Sequence, residues 1–91
     1  MQEKICIHCI VSGKVQGVWY RASAQDRGND LGLTGWAKNM PDGRVELVAA
    51  GEKDKIKLFF DWLKEGPELA EVIDVSYEEI PWQEHKRFAV K

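Results

Sequence analysis

In the stretch "GKVQGVWYRA", Gly13 to Ala22, two glycines bracket a short apolar–polar run and Arg21 follows where a helix is expected to begin. A helix N-terminus carries partial positive charge and favours anions. A cation there breaks a local rule, and broken local rules gather at functional sites. A bound anion would remove the conflict. Gly13 and Gly17 permit backbone geometry with φ > 0, and a tight loop of that kind can turn successive N–H groups inward as an anion nest. The helix that follows adds its own free N–H groups. A guanidinium beside a dianion in that nest would make bidentate, charge-assisted hydrogen bonds. The residues alone leave a second reading open, a flexible connection with a solvated arginine. The stretch is not a Walker loop, because no Gly-Lys-Ser/Thr follows it.

Asn39 is the second candidate. Asparagine is poor in strands, so one at a strand end needs a reason. It either opens the turn "NMPDG" or supplies an amide that both donates and accepts. Such a group can orient a water without deprotonating it. Cys6 and Cys9 flank His8 as "CIHC", which raises a metal site. Strand residues alternate faces, however, so Cys6 and His8 share one side and Cys9 lies on the other. A Cys6–Cys9 disulfide would span about 10 Å of strand. His85 is the only other histidine, so a four-ligand zinc site is poorly supplied. The cysteines read as small apolar strand residues, no metal is expected, and free thiols suit a reducing cytoplasm.

The elements that must position these residues follow from the rest of the chain. With 91 residues, 44% of them hydrophobic and 31% charged, it reads as one small ordered domain over 1–91. A net charge of −2 supplies no global field for nucleic acid. No apolar run approaches the roughly 20 residues of a membrane span. The N-terminus has an apolar stretch without a basic leader and reads as a strand rather than a secretion signal.

Ile5 to Ser12 is β-branched and apolar, with Ile5, Ile7, Cys9 and Val11 as its more apolar face. Tyr20 to Leu31 is a weakly patterned helix with Tyr20, Ala24, Gly28 and Leu31 on one side, stopped by Gly32. Gly28 costs helix propensity but allows close packing on a sheet. Leu33 to Asn39 and Val45 to Ala50 are strands joined by the "NMPDGR" hairpin, with Pro41 at the first central position and Gly43 at φ > 0. Asp54 to Lys64 is the clearest helix, with Ile56, Phe59, Phe60 and Leu63 at i, i+3, i+4, i+7 spacing. Its aromatic stripe reads as core. Ile73, Val75 and Tyr77 alternate with polar residues as a strand with one solvated face. "RFAV" adds a short edge strand. Trp36 is expected to pack, Trp62 and Trp82 to be partly exposed, and "EEIPWQEHKR" to be a solvated connection with His85 on its surface.

The order β-α-β-β-α-β, with right-handed crossovers, gives an α+β ferredoxin-like split β-α-β sandwich: an antiparallel sheet with both helices on one face. An RNA-recognition module shares that order but needs aromatic residues on its first and third strands. "ICIHCIV" and "RVELVAA" have none, so no nucleic-acid partner is expected.

"GKVQGVWYR", "LGLTGWAKN" and "DGRVE" resemble, in order and spacing, the signature segments of the acylphosphatase family, and the likeness extends over nearly the whole chain. The resemblance implies a small ferredoxin-like enzyme that hydrolyses carboxyl-phosphate anhydrides without metal or cofactor. The loop Val15, Gln16, Gly17, Val18, Trp19 and Tyr20 would cradle the phosphate through backbone N–H groups. Arg21 would bind the phosphate and Asn39 would position the attacking water. The partners implied are a small-molecule acyl phosphate and inorganic phosphate as product and competitive ligand. Nothing demands a dimer, so a monomer is expected. Two positions depart from the family pattern: Tyr20 stands where phenylalanine is usual, and Trp19 where a small residue is common, which bears on substrate preference. A non-catalytic acyl- or carbamoyl-phosphate-binding module would keep the nest and Arg21 but lose turnover. Asn39 argues against it.

Overall fold

The structure, a computed structural model, describes residues 3–91. Met1 and Gln2, included in the reading of the N-terminus, lie outside the described residues. The elements are β1 (Lys4–Lys14), α1 (Tyr20–Asp30), β2 (Thr34–Asn39), β3 (Val45–Glu52), α2 (Lys53–Leu63), β4 (Glu71–Ile80) and β5 (Phe88–Val90). They form one five-stranded sheet in the order β4-β1-β3-β2-β5. Ile7, Cys9 and Val11 of β1 share a single core with Ala24 of α1 and Ile56, Phe59 and Leu63 of α2, so both helices cover one face. Cys6, Val48 and Ala50, with Trp36 and Ile80 against them, form a smaller cluster on the other. Both cysteines are free and buried. No helix is long and apolar enough to cross a membrane.

The expected antiparallel sheet holds for four strands. The exception is β5, which runs parallel to β2 with Gly35, Trp36 and Ala37 opposite Phe88, Ala89 and Val90. The connection 81–87 carries the chain from the β4 edge to the opposite edge, so β5 enters pointing the same way as β2. Gly28 is needed for this arrangement. A Cβ there would come within 2.6 Å of the Phe88 ring, so α1 sits closer to β5 than any larger residue allows.

Strand β4 differs from its alternation. Val72 and Val75 pack against the core, but Ile73 is 83% exposed. Ser12 pairs with Asp74 while Gly13 pairs with Val72, so Ile73 is the extra residue of a β-bulge and is turned out of the ladder. The same bulge corrects the reading of Gly13. It has φ 125°, and a Cβ there would collide with the Glu71 carbonyl oxygen. Gly13 therefore belongs to the β1–β4 pairing and not to the loop.

Candidate active site

The register brings three chain segments to one end of the sheet. Val45 pairs with Val11 of β1 and with Asn39 of β2, and Val90 pairs with Ala37. The β1–α1 loop, the β2–β3 hairpin and the end of β5 therefore meet there. The hairpin folds as expected. Gly43 has φ 95°, Met40 N–H donates to the Arg44 carbonyl at 2.8 Å, and the Asp42 carboxylate accepts from Arg44 Nε at 2.8 Å. That hydrogen bond holds the Asp42 carboxyl below the usual carboxylate range.

In the loop, Gly17 has φ 76° and Trp19 φ 66°, while Gln16, Val18 and Tyr20 are not left-handed. Alternation of hand along successive residues is the geometry that points neighbouring N–H groups to one side. The cost falls on Trp19, because a left-handed residue with a Cβ loses about 1–2 kcal/mol. Trp19 is the N-cap of α1, offers no side-chain cap, and is followed by a first turn without acidic residues. The opening N–H groups of the helix are thus left without a side-chain acceptor at this end.

Five of the eight expected residues line one cleft of about 280 Å³: Val15, Gly17, Trp19, Tyr20 and Arg21, joined by Val90. Arg21 Nη1 donates to the main-chain oxygen of Lys91 at 2.7 Å. Lys91 N–H in turn donates to Ala37 O at 2.8 Å, continuing the β5–β2 ladder. Arg21 is thereby held by the tail of β5 at one point of its donor fork.

Gln16, Val18 and Asn39 are not in the cleft wall. Val18 is buried and seats the loop on the core. Gln16 Nε2 donates to the carbonyls of Met40 at 2.8 Å and Arg44 at 3.0 Å, fastening the loop to the hairpin one residue from Asn39. The half-buried Asn39 carries, among the described residues, the one buried side-chain polar atom with no hydrogen-bond partner, Oδ1. Tyr20 packs inward with its hydroxyl donating to Leu63 O at 2.8 Å, satisfying a carbonyl at the end of α2. Burial raises its phenol above the ordinary range. The substitution of tyrosine for phenylalanine is accommodated by one hydrogen bond.

The remaining chemistry-bearing residues lie elsewhere. His8 Nε2 is 2.7 Å from Glu46 Oε2 on the helix-free face. His85 is on the exposed connection beside Gln83. Burial pushes the Cys9 thiol up to about 12, so it carries no thiolate near neutrality. Two contacts were beyond sequence reasoning, Lys91 on Arg21 and Gln16 on the hairpin. Both join residues far apart in the chain and leave no local pattern.

Fold and loop together define a class: a ferredoxin-like α+β sandwich whose first β-α connection is a left-handed loop ending at an arginine. Comparison with known proteins narrows it. The family described as Acylphosphatase matches residues 7–90. An acylphosphatase of Legionella pneumophila (strain Lens) is 44% identical over 90 residues, 99% of each chain. The solved acylphosphatase from Coxiella burnetii superposes with a TM-score of 0.94 at 49% identity, over 97% of this chain and 93% of that one. The crystal structure of acylphosphatase from Bacillus subtilis gives 0.92 at 36% identity, over 96% and 98%. The chain belongs to the acylphosphatase family.

Proposed function

We propose that the protein hydrolyses the carboxyl-phosphate bond of acyl phosphates, with residues 1–91 acting as one domain. The observation that carries the reading is the shared cleft, in which Arg21 and the left-handed loop form one wall. The phosphate is held by main-chain N–H groups of Val15 to Tyr20 and by the Arg21 guanidinium, whose remaining N–H donors are free of the Lys91 contact. Asn39 holds a water in line with the bond to the acyl oxygen. Its Oδ1 is buried without a partner in the fold, and the amide offers donors as well as an acceptor to the water. The water oxygen bonds to phosphorus, the phosphorus–acyl oxygen bond breaks, and its electron pair leaves on the carboxylate. The water's proton passes to the phosphate or to solvent. A carboxylate leaves readily, so position and charge stabilisation suffice and no strong base is needed. The donors invoked are main-chain N–H groups, a guanidinium and a neutral amide, and the reaction runs with them alone as a metal- and cofactor-independent one. Inorganic phosphate is the product and a competitive ligand. The acting species is a monomer in the cytoplasm.

The test is phosphate release from acetyl phosphate in EDTA between about pH 6 and 8, with phosphate affinity measured alongside. Wild type is active, without a pH step, because the assigned machinery contains no histidine. Arg21→Ala loses both activity and phosphate binding while the fold survives. Asn39→Ala loses on the order of 10²–10³ in turnover with phosphate affinity little changed. Phosphate binding without turnover in wild type would instead identify a sensing module. Near-normal phosphate affinity in Arg21→Ala would remove the arginine from the site.

A further inference from the structure

Trp19 pairs two features that do not arise together from packing. Its backbone is left-handed, at φ 66°, a conformation that glycine or asparagine adopts more cheaply. Its side chain is 75% exposed, so the indole adds almost nothing to the core. Among the described residues its ring takes part in no aromatic pair and no cation–π contact. A large, mostly exposed ring in a costly backbone setting, with no ring or cation stacked on it, is placed for something outside the protein.

The cleft indicates what that is. Trp19 and Val90 are both exposed large apolar residues, and both line the cleft that contains Arg21. The others, Leu58, Leu69, Ile73, Tyr77 and Trp82, are absent from its wall. On the reading above, the phosphate occupies the loop and Arg21, so the acyl group must extend past the remaining surface of the cleft. That surface is the Trp19 indole, Val90 and the small Ala22. A rigid aromatic face buries area at low cost in side-chain freedom and favours stacking with another π-system.

We propose that Trp19, with Val90 beside it, is the acyl-group subsite, and that it selects acyl phosphates with an aromatic or bulky apolar acyl group over those with a small one. The inference rests on the hydrolytic reading and names its substrate class. Discrimination of this kind is a ratio of kcat/KM values, so it is read from benzoyl phosphate against acetyl phosphate within each variant. Trp19→Asn removes the ring while keeping a residue that tolerates the left-handed setting. The benzoyl-to-acetyl ratio falls about tenfold, the equivalent of ~1.4 kcal/mol. Trp19→Phe keeps the ratio within about twofold, because a flat ring remains. Val90→Ser lowers it in the same direction by a smaller factor. General damage to the loop lowers both rates and leaves the ratio alone, so an unchanged ratio in Trp19→Asn overturns the subsite. A wild type that binds inorganic phosphate but hydrolyses neither substrate overturns the hydrolytic reading itself, and with it the subsite.

Discussion

Gln16→Ala separates a loop that merely lies near the hairpin from one that works with it. The side chain donates to Met40 O at 2.8 Å and Arg44 O at 3.0 Å. Both carbonyls also accept backbone donors, Gly43 N–H at 3.2 Å and Met40 N–H at 2.8 Å. Truncation therefore orphans neither acceptor, and the penalty for a buried unpaired group does not apply. What is lost is two neutral, half-buried hydrogen bonds at roughly 0.5–1.5 kcal/mol each, or about 2 kcal/mol together. That loss is confined to the joint between the loop and the Asn39 hairpin. Urea unfolding should show a stability decrease of about 1–2 kcal/mol, and kcat/KM for acetyl phosphate should fall by about tenfold or somewhat more.

Gln16→Glu sharpens the test. It keeps the length of the side chain but, when ionised, offers only acceptors toward two carbonyl oxygens. It should be worse than alanine in both stability and rate. A double-mutant cycle with Asn39→Ala should be non-additive, since the two positions share one hairpin. A glutamate variant as active as wild type would refute the hydrogen-bond account. Loss of stability with no loss of rate would show the contact to be structural only.

Two further outcomes concern the fold. Gly28→Ala should destabilise the protein although alanine is the better helix former by about 1 kcal/mol. The new Cβ meets the buried Phe88 ring at 2.6 Å, and overpacking a core costs about 1–3 kcal/mol. Differential scanning calorimetry should register a drop of several degrees, at about 4–8 °C per kcal/mol for a domain of this size, and a raised Tm would contradict the close approach. The Cys9 thiol, pushed by burial from 9.0 to about 12, keeps its proton in the native state where the unfolded chain releases it. The native state then binds more protons, so stability falls as pH rises from about 9 toward 12, at up to about 1.4 kcal/mol per pH unit, and is unaffected by this group below that window. Urea midpoints from pH 8 to 11 should decline less steeply in Cys9→Ala, and equal slopes would exclude the thiol as the cause.

Much of the fold was legible because periodicity and turn chemistry act locally. The i, i+3, i+4, i+7 run of α2 puts Ile56, Phe59 and Leu63 in the core as spaced. Phe60, the fourth member, packs half-buried against that core and also reaches the Tyr77 ring at 4.6 Å between centroids. The "PDG" turn behaves as its residues require. What was not legible depends on a partner strand. Ile73 alternates correctly in sequence, and only the shift at Ser12/Gly13 turns it outward. Helix α1 shows little sequence amphipathicity because its contact surface is made partly of absent side chain, at Gly28 against Phe88. In the site, Arg21 and Asn39 stood out as residues out of place for their elements. Gln16 did not, since a glutamine in a polar loop has no anomaly until its two carbonyls are known. The left-handed Trp19 was hidden by its residue type, for tryptophan gives no sign that it occupies φ > 0.

The anomalies share one end of the sheet, and that distribution says more than any of them singly. The left-handed Trp19, the unpartnered Asn39 Oδ1 and the arginine at the opening of α1 each work against folding. Arg21 alone has a partner, the Lys91 main-chain oxygen at 2.7 Å, and no side-chain cap or hydrogen bond offsets the other two. The interior they adjoin is otherwise consistent: no described buried residue is polar or charged, and the described strands pair with one bulge. A sequence under selection for stability alone could place asparagine or glycine at 19, serine or aspartate at the helix opening and an apolar residue at 39 without disturbing that interior. A dianion on the N–H groups of the loop would reverse the sign of the Arg21 anomaly, because the cation would then face the ligand instead of the helix end. Phosphate should therefore stabilise the wild type against unfolding far more than it stabilises Arg21→Ala, which ties the local cost to the ligand that would offset it.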